Sequence, residues 1–233
     1  MPSAAERREA LKGVYREARD CVRCPLHQTR TQVVFGNGNA DANLMFVGEA
    51  PGANEDRMGL PFVGQAGKLL DKLLGEIGLE RADVFTINTL KCRPPDNRDP
   101  HPNEIEACRS YLDTQIELIE PAVICTLGNF STKLLRADTT GISRLHGQEE
   151  ILVVGSRAVR LYPLYHPAAA LYTPSTLEAL RTDFHRIPEL LAAGAPPQPE
   201  PAEEMPEPEE ELVDAGQSDG DEPQPAAPQL GLF

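Results

Sequence analysis

The apolar residues of this chain form short continuous runs that alternate with stripes of helical spacing. The continuous runs predict buried strands at 43–50, 83–92 and 122–128, and a hairpin or bent strand pair at 151–167. The stripes recur every three or four residues and predict helices at 4–19, 64–78, 101–119, 129–137 and 175–193. We expect Ser175 to cap the last of these helices.

Strands that alternate with helices favour an α/β fold, with a mainly parallel sheet of four strands covered on both faces. In such sheets, ligands bind at the carboxyl ends of the strands. Three polar or glycine-rich segments follow predicted strands: "GEAPG" the first, "INTLKCRPP" the second and "YHP" the last. The sequence therefore predicts one functional edge built from these three segments.

Charge divides the chain of 233 residues into two parts. The net charge is −14 at pH 7, yet residues 193–233 hold 11 of the 36 acidic residues, nine of the 22 prolines and no lysine or arginine. This composition predicts a disordered acidic tail at 193–233 behind a folded domain at 1–192. The folded part is close to neutral, so the acidic total does not exclude a local basic surface that binds nucleic acid.

No apolar run has the length of a membrane span, and the N-terminal residues lack the apolar stretch of a signal peptide. We therefore expect a cytoplasmic protein without membrane contact. In a reducing compartment, cysteines that are spaced as a set favour metal binding or catalysis over disulfides.

Four of the five cysteines form such a set. Cys21 and Cys24 are spaced C-x2-C, and Cys92 and Cys108 are separated by fifteen residues. Four thiolates suit an iron–sulfur cluster or a zinc ion, and the spacing leaves both open. Cys125, inside the apolar run "AVICTLG", is expected to be a small buried hydrophobe.

Several polar or aromatic residues at the predicted edge have a functional and a structural interpretation. Backbone amides of the turn 48–52 can meet an anion or a carbonyl, and Glu49 lies in the same turn. The Asn88 amide can hydrogen-bond to a carbonyl that lies beside an N–H, which uracil presents at O4 and N3. Alternatively, it is a buried amide that hydrogen-bonds to groups of a loop. Phe62 alone is more typical of core, and His166 alone of a loop histidine bonded to backbone.

Taken together, four ordered segments resemble the family 4 uracil-DNA glycosylases, the bacterial and archaeal enzymes with a [4Fe-4S] cluster. These segments cover roughly residues 10–190 and read "CVRC", "GEAPGANEDRMGLPFVGQAGKLLDKLL", "NTLKCRPPDNRDPHPNEIEAC" and "HPAAAL". The resemblance implies a three-layer α/β/α sandwich and makes Cys21, Cys24, Cys92 and Cys108 the cluster ligands.

The resemblance also implies roles at the predicted edge. Gly48, Glu49 and Ala50 would form the turn against uracil, with Glu49 placing the attacking water. Phe62 would stack on the flipped base, and Asn88 would read its polar edge. His166 would donate a hydrogen bond to uracil O2.

The implied activity is hydrolysis of the N-glycosidic bond of uracil in DNA, by base flipping, with an abasic site as the product. The alternative is a non-enzymatic iron–sulfur or zinc module that binds DNA. Lys91, Arg93 and Arg98 are candidate phosphate contacts. Where the family often has an arginine, this chain has Leu171-Tyr172-Thr173-Pro174, so Leu171 is the expected wedge into DNA. We expect a monomer associated with the nucleoid.

The acidic tail contains a short apolar motif, "QLGLF". Its residues Gln229, Leu230, Leu232 and Phe233 resemble the Gln-Leu-x-Leu-Phe pattern by which bacterial proteins dock on the replicative sliding clamp. The linker 193–228 would span roughly 35 Å as a flexible coil. We therefore expect these residues to bind the clamp, although five-residue motifs also occur by chance.

Overall fold

The computed structural model describes residues 3–199, whose centre is one mixed sheet. Six strands form this sheet in the order β1-β3-β2-β4-β6-β5. In chain order they are β1 (Asn37–Gly38), β2 (Leu44–Gly48), β3 (Phe85–Asn88), β4 (Val123–Leu127), β5 (Glu150–Val154) and β6 (Arg157–Leu164). The four central strands pair in parallel, and the two edge strands pair antiparallel. The four parallel strands match the predicted mainly parallel four-stranded sheet, and the edge strand β5 forms half of the hairpin predicted at 151–167. Edge strand β1 was not predicted.

Nine α-helices accompany the sheet within residues 3–199. They are α1 (Ala4–Arg19), α2 (Ala53–Met58), α3 (Gln65–Glu76), α4 (Pro102–Ile119), α5 (Asn129–Arg136), α6 (Ile142–Leu145), α7 (Pro167–Ala170), α8 (Pro174–His185) and α9 (Ile187–Ala192). The predicted last helix is thus two helices, and its cap is Thr173 rather than Ser175. The short helix α2 was not predicted.

The parallel strands are buried on both faces, which makes the fold a three-layer α/β/α sandwich. On one face, leucines of α3 pack with residues of α8 and α9 against alternate strand residues such as Phe46 and Tyr162. On the other face, α4 and α5 cover the intervening strand residues, such as Met45 and Ile124. The fold predicted from the alternation of strands and helices is confirmed.

The compact unit ends at Pro199, a few residues beyond the predicted boundary at 192. Gln198 Nε2 donates a hydrogen bond to the Ala158 carbonyl at 3.0 Å, and Arg160 Nε donates to the Gly194 carbonyl at 2.8 Å. These bonds attach the segment after α9 to strand β6.

Candidate active site

Strands β2 and β3 end side by side, which brings the predicted glycine turn to Asn88. Gly48 and Asn88 are direct partners in the parallel ladder. A Cβ atom on Gly48 would lie 2.4 Å from Asn88 Oδ1 and 2.7 Å from Phe62 Cζ. Neither distance accommodates a carbon atom, so only glycine fits here. Gly48, Phe62 and Asn88, from three separate parts of the chain, therefore meet at this point.

Phe62 presents the tip of its ring to this glycine from the loop before α3. The residue is buried and has a φ of 54°, a left-handed conformation that a bulky side chain seldom adopts. Its ring centroid lies 6.3 Å from that of His166, with an angle of 30° between the planes. An aromatic face and an imidazole thus border the same end of the sheet.

His166 follows β6 and caps helix α7. The Ala168 N–H donates to His166 Nδ1 at 3.1 Å. Because Nδ1 accepts this bond, a neutral ring carries its proton on Nε2 and can donate from there. Burial lowers the pKa of His166 to about 4, with nearby Glu55 opposing the shift. The side chain is therefore a neutral hydrogen-bond donor at neutral pH.

Glu49 and Asn88 have side chains that are free to meet a ligand. Within residues 3–199, neither the Glu49 carboxylate nor the Asn88 amide has a hydrogen-bond partner, although Asn88 is only 3% exposed. Burial, and secondarily the charge of Asp99, raises the pKa of Glu49. Glu49, Ala50 and His166 line a cavity of about 210 Å³. These features are typical of a binding site rather than of a satisfied core.

Glu55, in the unpredicted helix α2, organises the loop that carries Phe62. Its Oε1 atom accepts hydrogen bonds from the backbone N–H groups of Val63 and Gly64, both at 3.0 Å. Glu55 lies in the first turn of α2, where a negative charge stabilises a helix. This position is the sequence signal that could have drawn attention to Glu55. The sequence gives no indication that its carboxylate reaches a loop eight residues later.

A larger cavity, about 640 Å³, lies between α1 and the edge strand β1. Its walls contain Arg8, Lys12 and Tyr15 but no carboxylate or histidine. The smaller cavity is lined by Glu49 and His166, an acid and a base whose pKa values are both shifted by burial. We therefore take the smaller cavity as the candidate active site, because its walls carry groups that can take part in acid–base chemistry.

The four predicted ligand cysteines share one apolar cluster between α1, α4 and the end of β3, and all are free thiols. The Lys91 N–H donates to Cys108 Sγ at 3.3 Å, and Arg30 Nη1 donates to Cys92 Sγ at 3.4 Å. Burial raises the pKa of the Cys24, Cys92 and Cys108 thiols, to about 11 for Cys92. Within residues 3–199, however, no three His, Cys, Asp or Glu side chains converge in metal-site geometry.

The donor set nevertheless suits an iron–sulfur group. Four cysteines in an apolar shell, with N–H donors directed at two of the sulfurs, match the chemistry of such clusters. Because burial raises the pKa of Cys24, Cys92 and Cys108, metal binding would release protons from these thiols. Cys125 lies apart from them, fully buried within β4, as predicted.

The candidate DNA contacts have different environments. Lys91 is 1% exposed and its Nζ donates to the Asn88 carbonyl at 2.6 Å, so the prediction that it contacts phosphate was wrong. Arg98 makes two bonds to Glu104, at 2.6 and 2.9 Å, and lines the cavity beside Glu49. Arg93 Nε donates to Asn97 at 2.8 Å. Both arginines remain partly accessible.

Two apolar side chains are exposed beside the site. Leu171, immediately after α7, is 37% exposed, and Tyr172 is 87% exposed. The sequence predicted a role for Leu171 but none for the more exposed Tyr172. Gln229, Leu230, Leu232 and Phe233 lie outside the described residues.

The comparisons agree with this architecture. The family model of the uracil DNA glycosylase superfamily matches residues 35–187. A type-4 uracil-DNA glycosylase of Archaeoglobus fulgidus is 46% identical over 81% of this chain and 96% of the relative. Type-4 uracil-DNA glycosylases of Sulfurisphaera tokodaii and Saccharolobus solfataricus are 46% and 47% identical, over 78% and 76% of this chain and 85% and 84% of the relatives.

The chain is a member of the uracil-DNA glycosylase class, as shown by the match to the family model together with the sandwich fold and the glycine turn. Within that class, the chain belongs to the type-4 family. Among the helices that the structure describes, none is both long and apolar enough to cross a membrane.

Proposed function

We propose that the protein removes uracil from DNA by hydrolysing its N-glycosidic bond and leaves an abasic site. The observation that carries this proposal is the meeting of Gly48, Asn88, Phe62 and a neutral His166 at one end of the sheet. The type-4 relatives are named for the same activity.

Base recognition rests on an aromatic wall and a free amide. Once uracil has left the stack, Phe62 stacks on its face, and Asn88 accepts from N3–H while donating to O4. Gly48 allows the base to approach the backbone, because any Cβ atom would occupy this space. Thymine carries a methyl group at C5, so close packing around the base discriminates against it.

Bond cleavage requires stabilisation of the departing uracil anion. His166 donates from Nε2 to uracil O2, where negative charge develops, and the turn amides around Ala50 add to this stabilisation. Donors of this kind contribute roughly 3–4 kcal/mol each in other enzymes. Glu49, as a carboxylate, favours the developing positive sugar and orients water.

Cys21, Cys24, Cys92 and Cys108 would hold a [4Fe-4S] cluster. Its proposed role is structural, because these residues join the end of α1 to the end of β3 and to α4. Asn88 lies four residues before Cys92, so this connection also supports the strand that carries the amide.

DNA contacts and partners follow from the exposed residues around the site. We assign Leu171 to the wedge between bases, and Arg93 and Arg98 to the phosphate backbone. The protein would act on DNA of the nucleoid as a monomer, with the compact unit that ends at Pro199 as the catalytic domain.

The tail would serve as a tether. Residues 200–228 would link the catalytic domain to Gln229, Leu230, Leu232 and Phe233, which would dock on the replicative sliding clamp. Tethering raises the effective concentration of the enzyme at DNA near the clamp without any new contact to the substrate. The negative charge of the tail would keep it away from the phosphates.

The test combines two assays on an oligonucleotide that contains a single uracil. Alkali should cleave the treated strand at the uracil position, and borohydride should trap no covalent complex, because no lysine attacks the sugar. Asn88→Ala and His166→Ala should each lower the single-turnover rate by about 100-fold or more. Full activity in both variants would contradict the site assignment.

A non-enzymatic DNA-binding module is the competing function. It would bind uracil-containing and ordinary DNA without producing alkali-sensitive sites. The free amide of Asn88 and the single-tautomer donor of His166 favour the enzyme, because nonspecific DNA binding needs neither.

A further inference from the structure

We infer that Arg81 is the positioning residue for the base-stacking Phe62, and that its guanidinium links this ring to the strand carrying Asn88. The inference rests on the proposed function, since it assigns a task to Arg81 within base recognition. Arg81 lies in the loop before β3, outside every motif that the sequence analysis identified.

The guanidinium contacts the Phe62 loop at several points. Arg81 Nη2 donates to the Phe62 carbonyl at 3.0 Å and to the Gly67 carbonyl at 3.3 Å. Its Cζ lies 5.8 Å from the centroid of the Phe62 ring, within the range of a cation–π contact. Asp71 accepts from Arg81 Nε at 2.5 Å and orients the guanidinium. One side chain thus binds both the backbone and the ring of Phe62.

Phe62 needs such an anchor because its backbone conformation is strained. With a φ of 54°, a phenylalanine keeps this conformation only where the surroundings enforce it. On the helix side, a Cβ atom on Gly67 would lie 1.7 Å from the Phe62 carbonyl oxygen, so the helix presses closely on that peptide. Glu55 binds the next two N–H groups. Arg81 holds the carbonyl between these two contacts.

The loop that carries Phe62 borders a cavity, so packing holds it less firmly there. Phe62 and Val63 line a cavity of about 370 Å³, which Arg81, Asp71 and Thr86 also border. Where a cavity replaces neighbouring atoms, the wall loses the contacts that would otherwise resist movement. The bonds from Arg81 therefore replace the missing packing.

The same guanidinium reaches the strand that carries the recognition amide. Arg81 Nη1 donates to Thr86 Oγ1 at 3.4 Å, and Thr86 lies two residues before Asn88 on β3. Thr86 in turn donates to the Asn37 carbonyl at 3.1 Å. The loop that carries the stacking ring and the strand that carries the amide are thus bound to the same guanidinium.

The test uses Arg81→Met, Arg81→Lys and a matched control, Arg181→Met. Arg181 is equally exposed, 31% against 30%, and also pairs with a carboxylate, Glu76, but it lies on α8. We expect Arg81→Met to slow single-turnover uracil release by about tenfold or more, because small misplacements are costly in catalysis. Arg81→Lys should lie between Arg81→Met and wild type, and Arg181→Met should match wild type.

Two readouts separate positioning from a general loss of structure. Inhibition by free uracil, which bypasses DNA contacts, should weaken in Arg81→Met in proportion to the rate. In a Phe62→Ala background, Arg81→Met should have a clearly smaller effect than in wild type, because the ring that Arg81 positions is gone and only its link to the Thr86 strand remains. Should Arg81→Met not fold, Arg81→Lys carries the same comparison.

The contradicting results are distinct. Losses that multiply in the double variant, or unchanged inhibition by free uracil, would overturn the role of Arg81. Equal rates for Arg81→Met and Arg181→Met would overturn it as well. A wild-type protein that releases no uracil would instead overturn the proposed function on which the inference rests.

Discussion

Glu49 and His166 border one small cavity and have pKa values shifted in opposite directions. Burial disfavours the charged form of each, so the pKa of the carboxyl is raised and the pKa of the imidazole is lowered to about 4. The proposed reaction needs Glu49 ionised and His166 neutral. Both forms coexist above the raised pKa of Glu49, so this carboxyl governs the loss of activity in acid.

Replacing Asp99 tests this assignment. The Asp99 charge contributes to the raised pKa of Glu49, so Asp99→Asn should lower that pKa. The acid limb of the single-turnover pH profile should then move to lower pH. Asp96→Asn, another exposed carboxylate of the same loop, is the control and should leave the limb in place. An unmoved limb in Asp99→Asn would show that another group governs it.

Gly48 offers a steric test at the same scale. Gly48→Ala introduces a methyl group against Asn88 Oδ1 and Phe62 Cζ, so uracil release should fall by about 100-fold. Gly75→Ala is the control, because a Cβ atom there meets nothing within 4 Å. This control should unfold at the same or a slightly higher temperature, since alanine favours helix. Wild-type activity in Gly48→Ala would contradict the account of the turn.

The sequence predicted site residues that lie in motifs or at strand ends, and the fold brings these residues together. It did not predict residues that act through tertiary contacts. Gly48 and Asn88 end adjacent strands, which the sequence indicates directly. Glu55 and Arg81 bind backbone groups of a distant loop, and no local pattern encodes such bonds. Lys91 was misinterpreted because burial beside Asn88 overrides the usual exposure of lysine.

At the scale of elements, sequence periodicity predicted the long helices and central strands well. Periodicity failed for a strand too short to show a pattern and for a helix that a proline interrupts. Strand β1 has two residues, too few for any pattern, and it forms because β3 offers an unpaired edge. The last predicted helix breaks at Arg186, two residues before Pro188, which lacks the backbone N–H that a continuous helix needs.

The proposed cluster joins three elements, and its loss should affect them together. Cys92→Ala should abolish the visible absorbance, lower bound iron from about four atoms per chain and reduce the midpoint of thermal unfolding. Cys125→Ala is the control for iron content and absorbance, because this cysteine is also buried but lies within β4, apart from the other four. Retention of iron and colour in Cys92→Ala would contradict the ligand assignment.

At the scale of the whole molecule, residues 1–192 are almost neutral in charge, and residues 193–233 are acidic. A chain ending at Pro199 retains the bonds of Gln198 and Arg160, so it should unfold at the same temperature as the full chain. Its rate on a free oligonucleotide should also be unchanged. A lower unfolding midpoint would show that the tail stabilises the domain.

The apolar motif of the tail is tested by deletion. Removing residues 229–233 should abolish binding to a purified bacterial sliding clamp, measured by surface plasmon resonance. Removing residues 223–227, which shortens the tail equally but leaves the motif, should preserve it. Equal binding by both deletions would show that the motif has no part in docking.

The central claim is that the site formed by Glu49, Phe62, Asn88 and His166 removes uracil from DNA. Mass spectrometry of the products from an oligonucleotide with one uracil among the four ordinary bases tests it most directly. The account predicts free uracil and one abasic site per strand, without release of thymine or cytosine. DNA that is bound but yields no free base would contradict it.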